Sequence, residues 1–60
     1  MDNFKEIYVV FEYDRNICRD YIDGAYSLKH YAELHIVNRI NKENKLRKED
    51  FTIRKYTLAE

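Results

Sequence analysis

Residues 5–13, KEIYVVFEY, constrain the fold more than any other part of this 60-residue chain. Ile7, Val9, Phe11 and Tyr13 fall in one phase and Tyr8 and Val10 in the other, the period-2 pattern of a β-branched and aromatic strand. Because both phases hold apolar groups, the strand needs neighbours that shelter both of its faces, and it belongs at the centre of its sheet. A chain of this length buries only roughly 60% of the surface it exposes when unfolded, so residues 1–60 are expected to form one small domain. The single cysteine, Cys18, offers no internal disulfide. Packing alone must hold the fold, and a reducing, cytoplasmic setting is expected.

The remaining elements follow from local signals. Asp14-Arg15-Asn16 suits a chain reversal, since Asp and Asn side chains bond back to nearby backbone. Residues 17–26 read as a second, more polar strand, with Cys18, Ile22 and Tyr26 in one phase and Arg19, Tyr21 and Asp23 in the other. Such polarity fits a sheet edge. Gly24 interrupts this strand and predicts a bulge or a close approach by the helix. Ser27 is the expected N-cap of a helix over about 28–44. Tyr26 and Tyr31 are placed to staple its entry, although His30 at the third helical position leaves a capping box incomplete. Leu28, Ala32, Ile36 and Ile40 recur every four residues and are expected to face the sheet. Lys42 and Lys45 suit the negative end of the helix, with Asn44 near its C-cap. The charged loop 45–50 carries one apolar anchor, Leu46.

The last strand, Phe51 to Leu58, has Phe51 and Ile53 in one phase and Tyr56 and Leu58 in the other. Either its two ends serve opposite faces or it carries a bulge near Lys55. The order β-β-α-β then implies an α+β fold, a three-stranded antiparallel sheet in the order 2-1-3 with one helix packed on one face.

The runs IYVVFEYD, DGAYSLKHYAE and EDFTIRKYTL resemble a class of small uncharacterised proteins of phages and prophages of low-GC Gram-positive bacteria. Those proteins open with a Tyr- and Val-rich strand, enter a helix through a short Gly-x-[Phe/Tyr]-Ser segment, and close with an Asp-Phe-x-Ile-x-x-Tyr-x-Leu strand. The resemblance covers nearly the whole chain. It implies the same strand-strand-helix-strand order and no activity or site residues. His30 departs from the Glu often found at the third helical position of that class.

Candidate chemistry is sparse. His30 and His35 lie five apart, about 140° around a helix, too far to grip one metal together. Asp14, Asp20 and Asp23 lack the glycine-centred spacing of a calcium loop. A lone Cys18 in the apolar phase of a strand reads as a small buried hydrophobe rather than as a nucleophile served by a histidine. With no glycine-rich phosphate loop and little volume for a water-excluded cleft, no catalysis, metal or cofactor is expected. The N-terminus lacks the basic start and apolar run of a secretory leader, and no apolar stretch is long enough to span a membrane.

Charge and apolar surface leave two binding readings. Eleven Lys+Arg balance eleven Asp+Glu, with 37% of residues charged and a mean hydropathy of −0.76. Residues 1–27 hold three basic against six acidic groups, and residues 28–60 eight against five. Arg39, Lys42, Lys45, Arg47 and Lys48 therefore form a basic cluster suited to phosphate contacts, with Tyr21 or Tyr56 available to stack a base. Zero net charge disfavours nucleic acid as the partner. Apolar side chains outside the expected core favour a protein partner, either a second copy or a host factor. Two surfaces supply them: Tyr8, Val10, Tyr21, Tyr56 and Leu58 on the sheet face opposite the helix, and Tyr31, Leu34 and Val37 beside the buried row of the helix.

Overall fold

A computed structural model describes residues 4–59. Strand β1 (Phe4–Asp14) and strand β2 (Arg19–Tyr26) form a hairpin, helix α1 (Lys29–Lys42) crosses back, and a short 3-10 turn (Lys48–Asp50) leads into strand β3 (Phe51–Ala59). The sheet order is β2-β1-β3 with both pairings antiparallel. The α+β architecture and the central position of β1 are those that the two apolar phases of β1 require.

The expected reversal after β1 takes the form of an Asx turn, in which the backbone N–H of Asn16 donates to Asp14 Oδ1 at 2.8 Å. The turn is longer than expected. It occupies residues 15–18, so β2 begins at Arg19 and Ile17 and Cys18 lie outside it. Cys18 closes the turn at φ 54° and is exposed, its thiol donating to the carbonyl of Arg15 at 3.6 Å. It is therefore not a buried hydrophobe, because the left-handed backbone at this position turns its side chain out of the strand.

The anticipated irregularity at Gly24 is present. Val10 pairs with Gly24 and Phe11 with Ile22, leaving Asp23 as the extra residue of a β-bulge. A Cβ at Gly24 would stand 3.1 Å from Tyr26 Cε2 and 3.2 Å from His35 Cε1, so the same position also admits the helix. Beyond β2 the chain stays extended through Leu28, φ −124° and ψ 135°. The first helical bonds, from the N–H groups of Tyr31 and Ala32, run to the carbonyl of Leu28. Leu28 rather than Ser27 is thus the N-cap, with no side-chain cap bond. Since it precedes the helix, Leu28 leaves the expected row and is 54% exposed. At the other end the cap is Glu43 rather than Asn44. Strand β3 pairs with β1 without a register shift, so its two ends do serve opposite faces.

The core is thin. Val10, Ala32 and Phe51 are buried, and Tyr8, Tyr26, Ile36, Ile40, Leu46 and Ile53 pack against them. Leu46 is the loop anchor that the sequence predicts. This core lies on the Tyr8/Val10/Glu12 face of β1, opposite to the expectation that Tyr8 and Val10 lie on the uncovered face. Tyr21, paired with Glu12, also belongs to the helix side. Size and charge explain the choice. Val10, Gly24 and Ala32 are small enough for the helix to come close, and the Glu12 carboxylate beneath it is matched by a helix cation.

Candidate functional site

The uncovered face of the sheet is built from the other phase of β1 and from the residues paired with it. Lys5 stands beside Leu58 and Ile7 beside Tyr56. Val9 lies between Ala25 and Arg54, Phe11 between Ile22 and Thr52, and Tyr13 beside Asp20. Residues directly opposite in an antiparallel pair share a face. Of the five side chains expected on this face, Tyr56 and Leu58 are on it, while Tyr8, Val10 and Tyr21 are not. The bulge at Asp23 adds Ile22 by inverting the phase of β2 between Tyr26 and Ile22. Ile22 is 65% exposed, and Leu58, Tyr56 and Tyr13 are exposed as well. Ile7, Val9 and Phe11 are sheltered in part by their neighbours in the sheet. The guanidinium of Arg54 lies over the Phe11 ring, 5.4 Å from its centroid, a cation–π contact that holds one charge across the apolar face.

The opposite face carries a polar seam that no motif announces. Glu12, 5% exposed, accepts from Tyr21 Oη at 2.6 Å and from Arg39 Nη2 at 3.1 Å and Nε at 3.3 Å. Arg39 Nε also approaches Asp23 Oδ2 at 3.4 Å, and its Nη1 donates to Glu43 at 3.2 Å. Asp23 Oδ2 lies 2.6 Å from His35 Nε2, and His35 Nδ1 lies 2.6 Å from Tyr26 Oη. A carboxylate only accepts, so Nε2 carries a hydrogen, and in the neutral ring Nδ1 then accepts from the tyrosine hydroxyl. The hydrogen bond to Glu12 pushes the Tyr21 phenol up to about 12, helped by desolvation and by the Glu12 charge. Arg39's own hydrogen bonds to Glu12 raise its guanidinium above the usual value, with the charges of Glu12, Asp23 and Glu43 adding to them and desolvation opposing them.

The seam joins β1, β2 and α1, and its donors and acceptors meet one another. Its order of carboxylate, imidazole and hydroxyl is that of a nucleophile-activating triad, with a phenol in place of serine. Tyr26 and His35 border a cleft of about 390 Å³ lined also by Tyr31, Leu34, Asn38 and Arg39 among others. Pairing in the sequence hints at the seam only in retrospect: His35 and Arg39 are four apart, on the helix face that also holds Ala32 and Ile36.

A second ionic clasp lies beside Glu12, at the end of the sheet where β1 turns into the hairpin. Buried Asp50 accepts from Arg15 Nη2 at 3.0 Å and from the backbone N–H of Arg47 at 3.0 Å. The Arg47 N–H, with the Arg15 guanidinium, holds the Asp50 carboxyl below the usual carboxylate range against an opposing desolvation. The basic cluster does not form one surface. Arg39 is directed inward to Glu12 and Asp23, whereas Lys42, Lys45, Arg47 and Lys48 are exposed. On the helix, Tyr31, Leu34 and Val37 are exposed, as their place beside the buried row implies. Leu34 borders the cleft beside β2, and Val37 borders an apolar groove of about 380 Å³ along β3 with Ile36, Ile40, Phe51 and Ile53.

Among the described residues no helix is long and apolar enough to cross a membrane, and no three His, Cys, Asp or Glu side chains are grouped to hold a metal ion. Comparison with protein-family models, with curated proteins and with solved structures finds no match for this chain.

Proposed function

We propose that this chain is a protein-interaction module with no chemistry of its own, docking through the uncovered face of its sheet. One observation carries the reading: the most apolar phase of the central strand, Ile7, Val9, Phe11 and Tyr13, has no layer over it among the described residues, and Ile22, Tyr56 and Leu58 extend the patch on both sides. A sheet buries an apolar face against a second layer, and a large apolar patch left on a small protein marks a partner surface. The ionisable groups of the helix side, by contrast, are directed at one another and hold the helix in place. A cytoplasmic setting agrees with the unpaired thiol of Cys18. The resemblance to phage and prophage proteins suits a modulator of a host process, whose partner is a host protein or a second copy.

Affinity capture from a nuclease-treated bacterial lysate tests this, with wild type compared against the Ile22→Lys/Tyr56→Lys double variant. Both positions are exposed, so the circular dichroism spectrum should not change. Proteins retained by the wild type, this chain's untagged copy included, are expected to be lost with the variant. An identical captured set from both would refute the sheet face as the docking surface.

A further inference from the structure

We infer that the partner on this face is a second copy of the chain, packed sheet to sheet about a two-fold axis that runs parallel to β1. This deepens the docking reading above and rests on it. The argument begins from the unequal edges of the face. At the level of Val9 the β2 side holds Ala25 and the β3 side Arg54; at the level of Phe11 the β2 side holds Ile22 and the β3 side Thr52. A large side chain on one edge therefore stands level with a small one on the other, at both positions and in opposite senses.

An axis parallel to β1 lays β2 of one copy over β3 of its partner. It sets Arg54 over the partner's Ala25 and Ile22 over the partner's Thr52, and by symmetry it does so twice. Large groups then meet small ones across the interface, which is how packed layers interdigitate. The β1 residues Ile7, Val9, Phe11 and Tyr13 meet their own counterparts. An axis running across the strands would instead lay β3 on the partner's β3, so that the edge holding Arg54 faces its own copy and Arg54 no longer meets the small Ala25.

Charge favours the same arrangement. On this face β2 carries an acid, Asp20, and no base, whereas β3 carries a base, Arg54, and no acid. Each acidic edge thus covers a basic one. Arg54 also leans over Phe11, toward the end of the sheet where Asp20 pairs with Tyr13, which carries each guanidinium toward the partner's Asp20. The remaining charge, Lys5, sits at the open end of the face, where its long stem reaches water.

Area sets the strength. Three strands of this length present roughly 30 Å by 14 Å of sheet, about 840 Å² over the two copies, which is below the roughly 1,200 Å² of a stable specific interface and within the range of weak, transient contacts. A reversible dimer with a dissociation constant on the order of 100 µM is expected rather than an obligate one.

Two measurements test this. Light scattering during size-exclusion chromatography, from about 10 µM to 1 mM, should show the mass rising from one chain toward two, and Ile22→Lys should shift this at least tenfold to higher concentration. Orientation is read from Cys18→Ser chains carrying Ala25→Cys or Arg54→Cys, treated with a short bismaleimide, since stacked sheets lie about 10 Å apart. The mixture of the two chains should cross-link, and neither chain alone should. Cross-linking of Ala25→Cys with itself would overturn the axis. A monomeric mass throughout would overturn the second copy as the occupant, while the lysate capture would still show separately whether the face docks a foreign protein.

Discussion

The two faces of β1 differ in a way that runs against simple hydropathy. The face under the helix presents Tyr8, Val10 and Glu12, and the uncovered face presents Ile7, Val9, Phe11 and Tyr13. The more apolar phase is the one left without a layer. What distinguishes the covered face is steric and electrostatic fit: small residues at Val10, Gly24 and Ala32 admit the helix, and Arg39 neutralises the buried Glu12. The apolar surplus on the other side is then left exposed, and the docking proposed for it follows from the same choice of face that leaves the core thin.

The comparison can be broken most forcefully at Arg39. Removing it leaves the Glu12 carboxylate buried without its cation, a change that costs roughly 3–5 kcal/mol in such sites and is a large share of a small domain's stability. Urea unfolding of Arg39→Ala should show that loss, while Ile22→Lys on the uncovered face should stay within about 0.5 kcal/mol of wild type, as surface changes do. Equal effects from the two would remove the energetic difference between the faces, and a larger loss from Ile22→Lys would mean that they have been assigned the wrong way round.

Acid sharpens the comparison at the Arg15–Asp50 clasp. Asp50 is held below the ordinary carboxylate range in the folded chain, so its contribution is complete above the unfolded value, about 4. It is lost as pH falls through the folded value, because there the unfolded chain binds the proton more readily. Thermal melts between pH 6 and pH 2 should show Asp50→Asn less stable than wild type at the upper end, with the difference shrinking toward the lower end. A gap that stays constant with pH would remove the clasp as an acid-sensitive element.

The smallest effect belongs to the hairpin tip, outside both faces. Cys18 holds a left-handed conformation at φ 54°, where a side chain costs roughly 1–2 kcal/mol and glycine does not. Offset by the greater entropy of glycine in the unfolded chain, Cys18→Gly should stabilise by up to about 1 kcal/mol in thermal melts. A lower melting temperature would show that the thiol contact with Arg15 outweighs the backbone strain.

Much of this fold is legible along the chain. The two apolar phases of β1 require a central strand, the polar character of residues 17–26 marks an edge, and Gly24 marks the bulge, because each depends on neighbours in sequence and on short-range backbone geometry. Leu46 stands out as the one apolar group in a charged loop. Boundaries were less legible where the backbone departs from the repeat: Leu28 reads as the first member of a helical row, yet extended backbone carries it out of the helix, and Cys18 reads as strand but closes a turn.

What the sequence alone determined is which residues share a face within β1, within β3 and along the helix from Ala32 to Ile40, since strand and helix periods are local properties of the chain. Which of the two faces receives the helix was decided only in three dimensions. Glu12 becomes a covered residue because Arg39, 27 positions away, meets it, and Asp23 turns toward His35 because a bulge reverses the phase of β2. Burial of a charge depends on a partner that folding brings from a distant part of the chain, and no local pattern around Glu12 records that the partner will be there.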